Sequence, residues 1–291
     1  MWVSSHHARS GKRPDERVRD FHREHAGRGS INDRPEADLP LAFCRCVCYN
    51  KWHDRSSLLP EKGRSHMSEG AEMKKVYSND VTMDPSGFVL LSDYVPHVIQ
   101  EIRYFSTYNF IGERIDGYEE PCALITKEAA RALKAVSNEL FVQGYRLKIF
   151  DTYRPACAVR SFVLWGLEDQ DKRMKPYFYP SMEKGELFAK GYIATKSSHS
   201  RGSTVDLTLL DMKTGKEVDM GSPFDFFGEI SHPDYKGVTE EQYANRMTLQ
   251  NAMVRNGFIP YDCEWWHFTL RDEPYPDTYF EFPVSAEYLR R

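Results

Sequence analysis

Residues 197–210 read Ser-Ser-His-Ser-Arg-Gly-Ser-Thr-Val-Asp-Leu-Thr-Leu-Leu, and their second half decides the fold. From Thr204 to Leu210, Val205, Leu207 and Leu209 point one way while Asp206 and Thr208 point the other, the period of two that marks a strand with one apolar face. The first half is a loop of small residues that carries His199. A loop imidazole and a strand carboxylate can converge on one ion. Zinc accepts both donors, and a catalytic zinc takes three protein ligands and keeps a fourth position open for water.

The third ligand must come from elsewhere, and His267 in Glu264-Trp265-Trp266-His267 is the best candidate. In a flat strand, positions 264 and 267 face opposite sides. The spacing therefore predicts a turn, bulge or strand boundary near Trp265 and Trp266 if ligand and carboxylate are to meet. Each residue also has an ordinary reading. His267 on an aromatic strand can be a satisfied core histidine, Glu264 a surface or ion-paired carboxylate, Asp206 a solvent-facing residue, and Arg154 half of a loop salt bridge. Spacing alone leaves these readings open.

Working outward, Tyr145–Phe150 alternates with Leu147 and Ile149 on one face, a strand that delivers the loop Asp151-Thr152-Tyr153-Arg154-Pro155. Residues 125–143 read as a helix, with Thr126 as cap, Glu128 in the first turn, Leu133, Val136 and Leu140 at helical spacing, and Gly144 as the stop. A second helix is expected over Glu240–Asn256, closed by Gly257, before a strand-like run Cys263–Leu270 and a Pro-rich tail. No regular βαβ repeat or Gly-rich nucleotide loop intervenes. The expected class is α+β: a single compact domain, mainly antiparallel sheet flanked by helices, with the zinc site at one face of the sheet.

Composition narrows the function. The chain has 39 basic and 43 acidic residues in 291, so no single-sign excess points to nucleic acid. No run reaches the roughly 20 apolar residues that span a bilayer, and the N-terminal residues lack the apolar stretch of a signal peptide. A cytoplasmic location is expected, with six cysteines too sparse for a disulfide framework. Residues 1–66 hold six of the ten histidines and 13 Lys and Arg against nine Asp and Glu, without a sustained period. Residues 1–72 are thus expected to be a disordered extension and 73–291 the catalytic domain, with Met67 or Met73 as an alternative start. Cys44, Cys46 and Cys48 lack zinc-ribbon spacing and read as an incidental cluster.

The quoted segments, taken together, resemble the D-alanyl-D-alanine dipeptidases of the VanX type, among the zinc D,D-peptidases that share Ser-x-His-x-x-Gly-x-x-x-Asp and Glu-x-x-His. The likeness runs over about residues 88–283 and includes DGY (116–118), YRP (153–155), KSSHSRGS (196–203), DLTL (206–209), EWWH (264–267) and RDEPYP (271–276). It implies one zinc per subunit on His199, Asp206 and His267, a general base at Glu264, and transition-state stabilisation by Arg154. It further implies that Tyr104, Ser197, Ser198 and Asp225 line a small substrate pocket, though the serines can also simply shape the loop, and Tyr104 and Asp225 can pack or cap. Two departures stand out: Thr204 where the wider pattern has Ala, and the N-terminal extension.

The expected activity is hydrolysis of a D-amino-acid dipeptide, with no nucleic-acid or membrane partner and with homo-oligomerisation left open. Two alternatives stand beside it. One is a D,D-carboxypeptidase or endopeptidase acting on peptidoglycan stems. The other is a non-catalytic zinc-binding module. Binding of nucleic acid through the basic N-terminal segment is a third reading, which would show as salt-sensitive DNA binding.

Overall fold

The alternating segments pair into the sheet that organises everything else. In this computed structural model, which describes residues 81–290, the strands β1 (Ile99–Gln100), β2 (Tyr145–Asp151), β3 (Thr204–Asp211), β4 (Phe258–Tyr261) and β5 (Glu264–Leu270) form one five-stranded sheet. Its order is β1-β2-β3-β5-β4. The β1–β2 pair is parallel, and the other three pairs are antiparallel. The class is mixed α and β with a mainly antiparallel sheet, in accord with the sequence pattern. The expectations for residues 1–72, including the alternative start and the cluster Cys44, Cys46 and Cys48, lie outside the described residues.

Helices cover the sheet because their apolar stripes need a partner. Helix α1 (Lys127–Val142) starts where the Thr126 hydroxyl accepts from the Ala129 amide and stops before Gly144, whose φ of 92° takes the left-handed turn. Its Leu133, Val136 and Leu140 are fully buried, each burial contributing about 1.5–3 kcal/mol, and the helix packs on β2. Helix α2 (Ala156–Leu167) follows Pro155 directly. Helix α3 (Glu240–Arg255) opens with a capping box between Thr239 and Gln242 and packs on β4 and α1. No described helix is long and apolar enough to cross a membrane.

Two irregularities in the sheet aim side chains. The β2–β3 register shifts between Ile149 and Asp151, so that Asp151 comes opposite Asp206. On the other side, Pro260 pairs with Phe268 but Tyr261 pairs with Glu264, which leaves Trp265, Trp266 and His267 in a bulged stretch of β5. A bulge breaks strict alternation. The irregularity demanded by the spacing of Glu264 and His267 is thus present in β5.

Candidate metal centre

His199 lies on a 3-10 turn, Ser198–Arg201, whose first amides are satisfied by the Ser197 hydroxyl accepting from the His199 N–H. Gly202 ends the turn with φ of 84°, and a Cβ there would sit 2.2 Å from the Phe88 ring. Only glycine fits. The imidazole is buried, and its Nδ1 lies 2.6 Å from the Thr152 carbonyl oxygen. A carbonyl only accepts, so Nδ1 carries the proton and Nε2 presents a lone pair to the site. The Arg154 amide returns the contact by donating to the His199 carbonyl at 3.3 Å.

Asp206 and His267 reach the same point from adjacent strands, because they are directly paired across β3 and β5. His199 Nε2 is 3.2 Å from Asp206 Oδ2, and His267 Nδ1 is 3.1 Å from Asp206 Oδ1 and 3.3 Å from His199 Nε2. Among the described residues, these three side chains are the group of His, Cys, Asp or Glu whose ligand atoms all fall within 4.8 Å of one another. Asp206 is 2% exposed, which removes its solvent-facing reading. Its Oδ1 is buried without a directed hydrogen bond, a penalty of about 1–3 kcal/mol that a shared cation would remove. Two imidazoles and a carboxylate are a donor set that suits zinc. Burial works against ionisation of Asp206, yet His199 and His267 hold its carboxyl below the usual carboxylate range.

The β5 bulge brings Glu264 beside this group, with its Oε2 3.5 Å from His267 Nδ1. Burial pushes the Glu264 carboxyl up to about 8; His267 opposes the shift, and the charges of Asp206 and Asp225 add to it. Trp265 and Trp266, between the two residues, are both buried. The Trp265 indole donates to the Ser222 hydroxyl, and Trp266 packs edge-on against Phe224. These contacts fasten the bulge to the 222–224 segment.

Arg154 enters from the loop after β2. Its Nε donates to Asp151 Oδ2 at 2.9 Å, its second terminal nitrogen lies 3.5 Å from Asp206 Oδ2, and its guanidinium carbon sits 4.8 Å over the Tyr104 ring. Nearly all its donors face protein or the site, since the side chain is 12% exposed. Tyr104, buried on a 3-10 turn, in turn donates its hydroxyl proton to Asp225 at 3.0 Å. Asp225 holds φ at 62°, the left-handed conformation that no other described non-glycine residue takes. Such strain persists where surrounding structure enforces it. Burial pushes its carboxyl up to about 8, reinforced by Asp206 and opposed by Arg154. Ser198 lies with its hydroxyl 3.4 Å from His267 Nε2.

Eight of the nine residues singled out from the sequence are thus linked by contacts around one point, and Ser197 caps the turn that carries His199. Residues 84–285 match the family described as D-ala-D-ala dipeptidase. The chain belongs to this peptidase family. A D-alanyl-D-alanine dipeptidase of Enterococcus faecalis is 44% identical over 200 residues, 69% of this chain and 99% of its own. Those of Enterococcus faecium and Streptomyces coelicolor are 43% and 39% identical, each over 68% of this chain and 98% of theirs. The matched region, residues 84–285, includes every strand of the five-stranded sheet.

Sequence reasoning missed two members of the site. Asp151 is 1% exposed and accepts from Tyr118 at 2.7 Å as well as from Arg154. Both were within segments already quoted, Asp151 at the head of the loop that carries Arg154 and Tyr118 at the end of DGY. The signal available was the pairing of a strand-terminal carboxylate with an arginine three residues on. Thr204, the departure from the wider pattern, is buried and shares a hydrogen bond with Thr269 at 2.9 Å, across the β3–β5 pair.

Proposed function

We propose that this protein hydrolyses D-alanyl-D-alanine, with one zinc ion per subunit held by His199, Asp206 and His267. The observation that carries the reading is the meeting of His199 Nε2, His267 Nδ1 and the Asp206 carboxylate, whose Oδ1 takes no directed hydrogen bond, at one point beside Glu264 and Arg154. The likeness to D-alanyl-D-alanine dipeptidases supports the substrate.

When bound, zinc supplies Lewis acidity, polarising the scissile carbonyl and lowering the pKa of a water from about 16 to about 7. Glu264 then takes the proton of the attacking water and delivers it to the leaving amine. Its carboxyl, raised by burial, falls toward the ionised form once a positive charge sits beside it. Arg154 holds a permanent charge toward the oxygen on which negative charge develops, an interaction that strengthens in the transition state.

The Tyr104–Asp225 pair offers a buried corner in which the substrate's free ammonium group would draw the Asp225 carboxyl, raised by burial, to its ionised form, and Ser198 stands beside His267. That corner favours a free dipeptide over a stem peptide, whose chain continues where the ammonium would lie.

A hydrolysis panel tests the proposal directly. Free D-Ala-D-Ala should be cleaved, a pentapeptide stem should not, chelator should abolish turnover, and zinc should restore it. Stoichiometric zinc binding without cleavage of any D-amino-acid peptide would sink the catalytic reading and leave a zinc-binding module.

A further inference from the structure

We propose that Asp151 is a positioning residue for this reaction, a buried carboxylate that holds the Arg154 guanidinium off Asp206 and aimed into the site. The inference rests on the catalytic role given to Arg154 above. Three observations converge on it. The register shift at the end of β2 turns Asp151 toward the site, opposite Asp206. Its two oxygens are divided between partners: Oδ1 accepts from the Tyr118 hydroxyl at 2.7 Å, and Oδ2 accepts from Arg154 Nε at 2.9 Å. The same Oδ2 is 3.6 Å from His199 Nδ1, whose proton goes to the neighbouring Thr152 carbonyl.

Arg154 has two carboxylates within reach, and only one of them is available to a metal. The guanidinium is 2.9 Å from Asp151 and 3.5 Å from Asp206. The nearer, fully buried acid wins the directed hydrogen bond, while the Tyr104 and Phe162 rings, 4.8 and 5.0 Å from the guanidinium carbon, set its plane. Without the Asp151 charge, the strongest remaining attraction draws Arg154 onto Asp206. That would move the guanidinium from the position where negative charge develops. Tyr118 keeps Asp151 from rotating, since it occupies the other oxygen.

Asp151→Asn keeps size but removes the charge: its one oxygen can face Arg154 only if its amide N–H faces the Tyr118 hydroxyl, which must then accept instead of donate, and the neutral acceptor no longer competes with the Asp206 carboxylate for the guanidinium. A displacement of about 1 Å in a positioned group lowers turnover by about a hundredfold. The expected result for Asp151→Asn is therefore a kcat lower by about a hundredfold, KM within a few-fold, and an unchanged zinc content.

Arg154→Ala should lose about 10²–10³ in kcat, and Asp151→Asn added to it should cause no further loss, because its effect passes through Arg154. Losses that multiply in the double variant would overturn the inference, as would loss of zinc from Asp151→Asn alone. Tyr118→Phe provides a second route that leaves the carboxylate in place. It should lower kcat several-fold in the wild-type background and not at all beside Arg154→Ala; an equal loss in both backgrounds would count against the inference. If Arg154→Ala retains full turnover, the catalytic role of Arg154 and the inference fall together. If Arg154→Ala is impaired and Asp151→Asn is not, the inference alone falls.

Discussion

The two faces of β3 are buried to the same degree and held by opposite chemistry. Val205, Leu207 and Leu209 have no exposed surface, and Asp206 and Thr208, pointing the other way, are 2% and 1% exposed. On the apolar face, burial itself is the stabilising term. On the polar face, burial is a liability that other groups must offset. Asp206 meets two imidazoles and a guanidinium there, and its Oδ1 still takes no directed hydrogen bond. One strand therefore presents a face that needs only neighbours of the right shape and another that needs a cation.

Breaking the polar face should have the largest effect. His267→Ala should lower zinc content from one ion per chain to none and remove all measurable dipeptide hydrolysis, as followed by metal analysis and a D-alanine assay. Full activity in a zinc-free His267→Ala protein would refute the ligand set. Glu264→Gln comes next: zinc should stay, while kcat falls by about 10²–10⁴, the range for a positioned proton carrier. A near-normal kcat would show that another group moves the proton.

Breaking the apolar face should do something different in kind. Leu207→Ala should cost about 2–5 kcal/mol of stability in denaturant titration, while the fraction that remains folded keeps its zinc and its kcat. If it loses zinc at temperatures where it is folded, the two faces are coupled and the contrast drawn here fails.

The smallest effect sharpens the comparison through pH. Burial pushes the Asp225 carboxyl up to about 8 in the folded chain, from an ordinary value of 3.8. A raised acid is protonated in the fold while the unfolded chain has already ionised, so the protein loses stability as pH rises from about 4 to about 8. In the metal-free protein, Asp225→Asn should remove that loss, and Asn also tolerates the left-handed backbone at this position. Its Tm relative to the unsubstituted protein should therefore be higher at pH 8 than at pH 5. A difference that is the same at both pH values would show that Asp225 is not held protonated.

Much of this contrast was legible in residues 204–210 before any coordinates, since alternation alone separates the two faces. It did not reveal that both are covered. The covering layer on the polar side includes Phe224, which stacks on Phe150, from a segment without periodicity. Helices α1 and α3 were readable from caps and spacing, whereas Ile99–Gln100 is too short to carry a period.

Within the site, residue type and spacing made His199, Asp206, His267 and Glu264 one reading among several and pointed to the irregularity in β5, and the family likeness selected that reading. Tyr104 and Asp225 lie 121 positions apart, and only the family likeness pointed to them. Asp151 escaped because the register shift before it contradicts the simple alternation of β2.

The exchange of hydrogen bonds between two loops has a mechanical consequence. His199 Nδ1 donates to the Thr152 carbonyl, and the Arg154 amide donates to the His199 carbonyl. The 152–154 and 198–201 segments are thereby buckled together, each fastening the backbone of the other. A loosened imidazole would slacken the strap that carries the guanidinium, so an ion at the proposed site would steady Arg154 through these two hydrogen bonds. The solvent exchange of one proton, the Arg154 amide, then serves as a gauge of whether the ion is in place.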